Sequence, residues 1–233
     1  MMNQSNHLRT DGRAINEIRS PHYYLGEIQN VEGSARVIAG FNNILVTVRG
    51  PRIAERWNRE ADRGSIVCRY TMHPFSVAER KRPSYDRRSA EISKILENAT
   101  ESCVLLEKYP GCEIQVNVDV LSCDGSSRVT ALGAICLALI DAGIEIKGLF
   151  AGCSIGRYED RLMVDLSGLE DNKGNLDLAM GGIQNQADLI LFQSDGIMTD
   201  ETMDQAMQLG NQGLQEIFQL QESILKQTQR GFE

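Results

Sequence analysis

Polar and apolar residues alternate most cleanly over residues 113–121. Ile114, Val116, Val118 and Val120 share one side, and Gln115, Asn117 and Asp119 share the other. Side chains of a strand point alternately to its two faces, so this pattern predicts a half-buried strand. Upstream, residues 34–39 lie between Gly33 and Gly40, residues 44–48 end at the breaker pair Gly50-Pro51, and residues 65–71 form a third run; all three read as strands. Over 87–108 the period becomes helical. Ile92, Leu96, Ala99, Cys103 and Leu106 recur at spacings of three and four, which predicts one buried stripe. Asp86 is placed to cap this helix and Tyr109-Pro110-Gly111 to stop it.

Residues 130–142 are almost all apolar, which predicts a buried helix ended by Gly143. Further strands are expected at 148–156, 161–167 and 188–194. An amphipathic helix over 199–226 closes the chain, opened by the cap-like Thr199-Asp200-Glu201-Thr202 and burying the methionines near 198–207. Strands and helices alternate irregularly, so the fold class is α+β (mixed α/β), with mixed sheets and packed helices, and not a doubly wound sheet. With no linker, repeat or low-complexity tract, the 233 residues read as a single domain, 1–233, of which 1–8 is a flexible N-terminal tail.

Composition narrows the class. At 42% hydrophobic and 24% charged the chain is an ordinary globular protein. No stretch reaches the roughly 20 apolar residues of a membrane helix, and the polar start Met1-Met2-Asn3-Gln4-Ser5-Asn6-His7 has no apolar core of a signal peptide, so no membrane role is expected. The six cysteines have no Cys-x-x-Cys spacing, and with three histidines they suggest no His/Cys metal cluster. Most sit in apolar runs and read as buried free thiols of a reducing compartment, the cytoplasm. The net charge of −8 argues mildly against binding nucleic acid over the whole surface.

Three stretches could carry chemistry. Asp124-Gly125-Ser126-Ser127-Arg128 lies between a strand and a buried helix, where free backbone N–H groups attract anions, Gly125 permits close approach, the two serines can donate and Arg128 offers a fork for phosphate oxygens. Taken alone it is also the sequence of an ordinary turn. It lacks the Gly spacings of a P-loop or a dinucleotide fingerprint. The acidic segment 165–177 holds Asp171 and Asp177, which could converge from two arms of a loop, either as a general acid with a raised pKa, as ligands of a hard cation such as Mg²⁺, or as a solvated hairpin. The third is a basic island, Arg80-Lys81-Arg82-Pro83-Ser84-Tyr85-Asp86-Arg87-Arg88. Cations in a first helical turn oppose the helix dipole, which favours a role in binding phosphates over helix stability; Tyr85 adds a stacking surface.

In their order along the chain these stretches resemble the ribonuclease PH superfamily, and within it the phosphorolytic ring subunits of the archaeal RNA exosome. The matching segments are Arg9-Thr10-Asp11-Gly12-Arg13 with Glu17 and Arg19, Gly33-Ser34-Ala35, Gly50-Pro51, Pro74-Phe75-Ser76, Glu79-Arg80-Lys81-Arg82-Pro83, Asp86-Arg87-Arg88-Ser89, Asp124 to Arg128, Glu170-Asp171 and Asp177. The resemblance implies a ribonuclease PH-like fold and a 3′-to-5′ phosphorolytic exoribonuclease. Inorganic phosphate, as co-substrate, would sit on Gly125, Ser126, Ser127 and Arg128. Asp177 or Asp171 would protonate the departing 3′ oxygen or hold Mg²⁺ or Mn²⁺. Arg87, Arg88, Arg82 and Lys81 would bind single-stranded RNA. Implied partners are a related inert subunit completing a hexameric ring and RNA-binding cap proteins. A stand-alone bacterial-type ribonuclease PH trimming tRNA ends, or a catalytically inert channel subunit, are the alternatives. The sequence departs from the family's usual loop at Ser126, where a second Gly is usual, and has Cys123 for Ala and Asn42-Asn43 where Thr is frequent. If position 126 takes a positive φ, Ser costs about 1 kcal/mol there.

Overall fold

A computed structural model of the chain describes residues 9–79, 82 and 86–230. The tail expected at 1–8 lies outside them. The first half builds one sheet from β1 (His22–Leu25), β2 (Gly33–Ala39), β3 (Asn42–Ile53), β4 (Ser65–Met72) and β5 (Cys112–Ser122), with α1 (Arg87–Cys103) between the last two strands. The spatial order is β1-β2-β3-β5-β4. All neighbours are antiparallel except β4 and β5, whose parallel pairing is made possible by the crossover through α1.

After α2 (Ser127–Asp141), the second half adds β6 (Phe150–Tyr158), β7 (Arg161–Val164), the short α3 (Gly168–Lys173), β8 (Leu176–Ile183), β9 (Leu189–Gly196) and the long α4 (Asp200–Arg230). These strands form an antiparallel sheet in the order β7-β6-β8-β9. The nearly all-apolar α2 has its reason here: it is packed between the sheets. Leu132, Ile135 and Leu139 are buried in one core with Val37 and Val46 of the first sheet and Phe150 and Ala179 of the second. Gly152 of β6 allows the approach, since a Cβ there would stand 2.9 Å from the Val129 side chain. α4 covers the second sheet with Ala206, Leu214 and Phe218 over Ile155, Leu178 and Met180. Gln221 of α4, fully buried, donates to the carbonyls of Gly133 and Phe150 at 3.1 Å each and so ties α4 to α2 and β6.

The α+β expectation and most strands hold, with several corrections. The 87–108 helix stops at Cys103. Val104 turns extended and bridges Ile146, and Leu106 belongs to a separate 3₁₀ turn, Leu106–Lys108, that buries on the same core. β3 runs through Gly50-Pro51, a cis peptide, while its register with β5 shifts between Arg49 and Arg52. The strand expected over 161–167 ends at Val164, because Asp165 takes a left-handed conformation at φ 52°. The strand β8 and the short helix α3 had no visible period. Asp171 and Asp177 therefore sit on a helix and a strand, and not on two arms of one loop. No described helix is long and apolar enough to cross a membrane.

Candidate active site

The strand β5 delivers the chain into the loop at 123–126, and α2 leaves from it. Gly125 has φ +71°, and a Cβ there would press within 2.7 Å of the Leu166 carbonyl. Ser126 also has a left-handed backbone, φ 59° and ψ 15°. Its hydroxyl offsets that strain by donating to the Leu166 carbonyl at 2.8 Å and lying 2.5 Å from the Ser154 hydroxyl. Asn42 holds the loop from the other side, donating to the Gly125 carbonyl at 2.8 Å and accepting from the Asp124 N–H at 2.7 Å. Ser126 and Asn42 thus each have a local use.

A buried frame of arginines and carboxylates fixes the loop to α3. Arg19 donates to the Asp124 carbonyl at 2.6 Å, to the Leu166 carbonyl at 2.9 Å and to Asp165 Oδ1 at 2.6 Å. Arg13 reaches Asp165 Oδ2 at 3.1 Å. Arg9 pairs with both oxygens of Glu170. Glu170 in turn accepts from the Ser167 N–H at 2.8 Å, closing a capping box on α3, while Asp124 Oδ1 accepts from the Gly168 N–H at 2.9 Å. The motif Arg9 to Arg13 is therefore a brace behind the site and not part of its lining.

At the start of α2 the side chains turn toward a polar cavity of about 550 Å³. Arg88 and Glu91 of α1, Arg128 of α2, Asp171 of α3, Asp177 of β8 and Gln193 of β9 line it. A second, small cavity that shares Arg88, Arg128, Asp171 and Asp177 with it is lined by Gly125, Ser126 and Ser127. Arg128 forks: Nη1 donates to Gln193 Oε1 at 2.6 Å and Nη2 pairs with Asp177 Oδ2. Gln193 donates in turn to Glu91 Oε1 at 3.1 Å, linking α1 to β9 across the cavity. Ser127 is buried, with its Oγ 2.8 Å from the Tyr70 hydroxyl.

The Asp177 carboxyl is pushed above its ordinary value of 3.8. Burial is the main cause, Arg128 opposes it, and the nearby Asp171 carboxylate reinforces it. Cationic donors at a helix N-terminus and a carboxyl with a raised pKa thus meet in one cavity. That combination can hold an oxyanion and hand a proton to a leaving oxygen beside it.

The predicted Gly125, Ser126, Ser127, Arg128, Asp171, Asp177 and Arg88 come together here. Arg87 and Arg82 are exposed and stand outside the lining. Lys81, with Arg80 and Tyr85, lies outside the described residues. Gln193, Glu91 and Tyr70 were not legible as site residues, since each acts through a partner far away in sequence; Asp165 fell within the acidic segment and Asn42 among the departures, but not as braces of the loop. Among the described residues no group of three His, Cys, Asp or Glu could hold a metal ion. His73 pairs with Asp119 at 3.1 Å and stacks on Phe75, a structural placement. The six cysteines are free, and burial pushes the thiols of Cys68, Cys103 and Cys136 up to about 12, which leaves them inert.

Known proteins resemble this chain over almost its full length. Residues 17–145 match the 3′ exoribonuclease family, domain 1, and residues 148–213 match domain 2 of that family. The exosome complex component Rrp41 of Thermoplasma acidophilum is 37% identical over 226 residues, covering 97% of this chain and 91% of that protein. Its counterpart in Pyrococcus furiosus is 40% identical over 220 residues, covering 94% and 88%. The crystal structure of rice (Oryza sativa) Rrp46 superposes with a TM-score of 0.83 over 94% of this chain and 100% of that one, at 24% identity, a likeness of fold.

Proposed function

The chain belongs to the 3′ exoribonuclease (RNase PH) family, and from that premise we propose that it is a phosphorolytic 3′-to-5′ exoribonuclease subunit of an exosome ring. The observation that carries this reading is the meeting of Arg128, Asp171 and Asp177 at the N-terminus of α2, in one cavity with Arg88. Inorganic phosphate, the family's co-substrate, binds the amides at 125–128, the Ser127 hydroxyl and the Arg128 guanidinium. Arg88 and Arg87 grip the backbone of single-stranded RNA near its 3′ end, and Arg82 and Lys81 extend that grip. A phosphate oxygen attacks the last phosphodiester phosphorus, and the bond from phosphorus to the 3′ oxygen breaks. Asp177 delivers its proton to that oxygen, and a nucleoside diphosphate leaves. Most of the acceleration comes from positioning and charge neutralisation around the phosphoryl centre. One phosphodiester is exchanged for a diphosphate linkage of similar energy, so 3′ tailing from nucleoside diphosphates runs as the reverse.

We favour Asp177 as the acid because burial and the neighbouring Asp171 carboxylate raise its pKa against the opposing charge of Arg128. In the alternative to that acid role, Asp171 and Asp177, both ionised, would hold a Mg²⁺ or Mn²⁺. When bound, the ion would neutralise charge on the transferring phosphoryl group.

The similarity to Rrp41 proteins supports a ring built with related, inert RNase PH-like subunits, with RNA-binding cap proteins as further partners. Packing of α2 on both sheets supports treating residues 1–233 as one catalytic unit. The free thiols support a cytoplasmic location. The test is degradation of a 3′-labelled single-stranded RNA by the chain alone and with its co-expressed ring partner. Nucleoside diphosphates should accumulate only with phosphate and chiefly with the partner. Full activity alone on tRNA ends would favour a stand-alone ribonuclease PH.

A further inference from the structure

Tyr70 is fully buried in β4, and its ring belongs to the main core. Its hydroxyl lies 2.8 Å from Ser127 Oγ at the first residue of α2, 57 residues away in sequence. Among the described residues, Ser127 is the one hydrogen-bond partner of that hydroxyl. Either oxygen could donate, and burial decides between them. If Ser127 donated, the phenolic hydrogen would be left in the protein interior with no acceptor, an expensive arrangement. If Tyr70 donates, its own hydrogen is satisfied, one lone pair of Ser127 is used, and the Ser127 hydrogen remains available.

We propose that Tyr70 is a positioning residue for phosphate: it donates to Ser127 Oγ, fixes that side chain, and leaves the serine hydrogen directed to the anion at the start of α2. The inference rests on the phosphorolytic reading above and adds a residue from the first sheet to it. Tyr70 does not touch the substrate. It acts through Ser127, in the way Gln193 acts on Arg128 from the second sheet. The two sheets then each hold one side chain of the phosphate site, and α2 stands between them.

The experiment uses the ring complex, with inorganic phosphate as the varied substrate at saturating RNA, and compares wild type, Tyr70→Phe, Ser127→Ala and the double variant. Phe keeps the buried ring and removes only the hydroxyl. The phosphate KM should rise about 3- to 10-fold in Tyr70→Phe, the loss of one hydrogen bond of ordinary net strength. RNA affinity measured without phosphate, and kcat at saturating phosphate, should stay within about twofold. The double variant should match Ser127→Ala, because both substitutions cut the same link. An unchanged phosphate KM in Tyr70→Phe, or losses that add in the double variant, overturns the inference while wild-type phosphate dependence still stands. A wild type that turns over RNA without phosphate overturns the functional reading and the inference with it. Should Tyr70→Phe not yield folded protein, Ser127→Ala carries the test, and an unchanged phosphate KM there overturns it.

Discussion

The decisive residue is Asp177, because two roles meet on it. Its carboxyl pairs with Arg128, and burial together with Asp171 still holds its pKa above the ordinary 3.8. An acid with a raised pKa keeps its proton to higher pH. Phosphorolysis should therefore fall as pH rises through the Asp177 pKa, and a rate that keeps climbing across that range would assign the proton to another group. Asp177→Asn should abolish turnover, by at least about 100-fold as for loss of a general acid, while RNA binding by filter retention is unchanged. Behind the site, Glu170 shows the opposite balance. Burial raises its carboxyl, but Arg9 and the Ser167 N–H together hold it below the usual 4.5. Its contribution to stability is present above that value and lost as pH falls through the lowered pKa. Glu170→Gln leaves the Arg9 charge buried without its partner, so thermal or urea unfolding at pH 7 should show a loss of about 3–5 kcal/mol. A loss under about 1 kcal/mol would show that Arg9 is not held chiefly by that pair.

Among the elements, α1 joins RNA to phosphate. Arg87 and Arg88 open its first turn, and Glu91 one turn on holds Gln193 and through it Arg128. Replacing both arginines with alanine should weaken single-stranded RNA binding and lower its dependence on log salt by about 0.7 for each RNA phosphate that is no longer neutralised. An unchanged slope would make them a solvated face. Element legibility followed burial. The alternation of β5 was plain because one face is packed and the other is not. The stripe of α1 was plain for the same reason, although its apparent length was inflated by Leu106, which buries on the same core from a separate turn. β8 was invisible: buried on nearly every residue between β6 and β9, it has no polar alternation to show, and Gly181-Gly182 resemble a turn. The phosphate loop was readable because its groups are adjacent. Gln193 stands 65 residues from Arg128 and Tyr70 57 from Ser127, and nothing local marks either.

On the scale of the molecule, the net charge of −8 is reconciled with RNA by distribution. Cations gather at the start of α1 and the start of α2, and the buried arginines at 9, 13 and 19 are taken up by carboxylates within the frame. The site lies where both sheets meet the N-terminus of α2, so neither half of the chain contains it alone. The central claim is that inorganic phosphate, not water, cleaves the RNA. The most direct measurement supplies phosphate labelled with ³²P to the ring complex with unlabelled single-stranded RNA and locates the label in the released nucleotides. The account predicts label at the β-phosphate of nucleoside diphosphates, lost in Asp177→Asn. Release of unlabelled nucleoside monophosphates would contradict it.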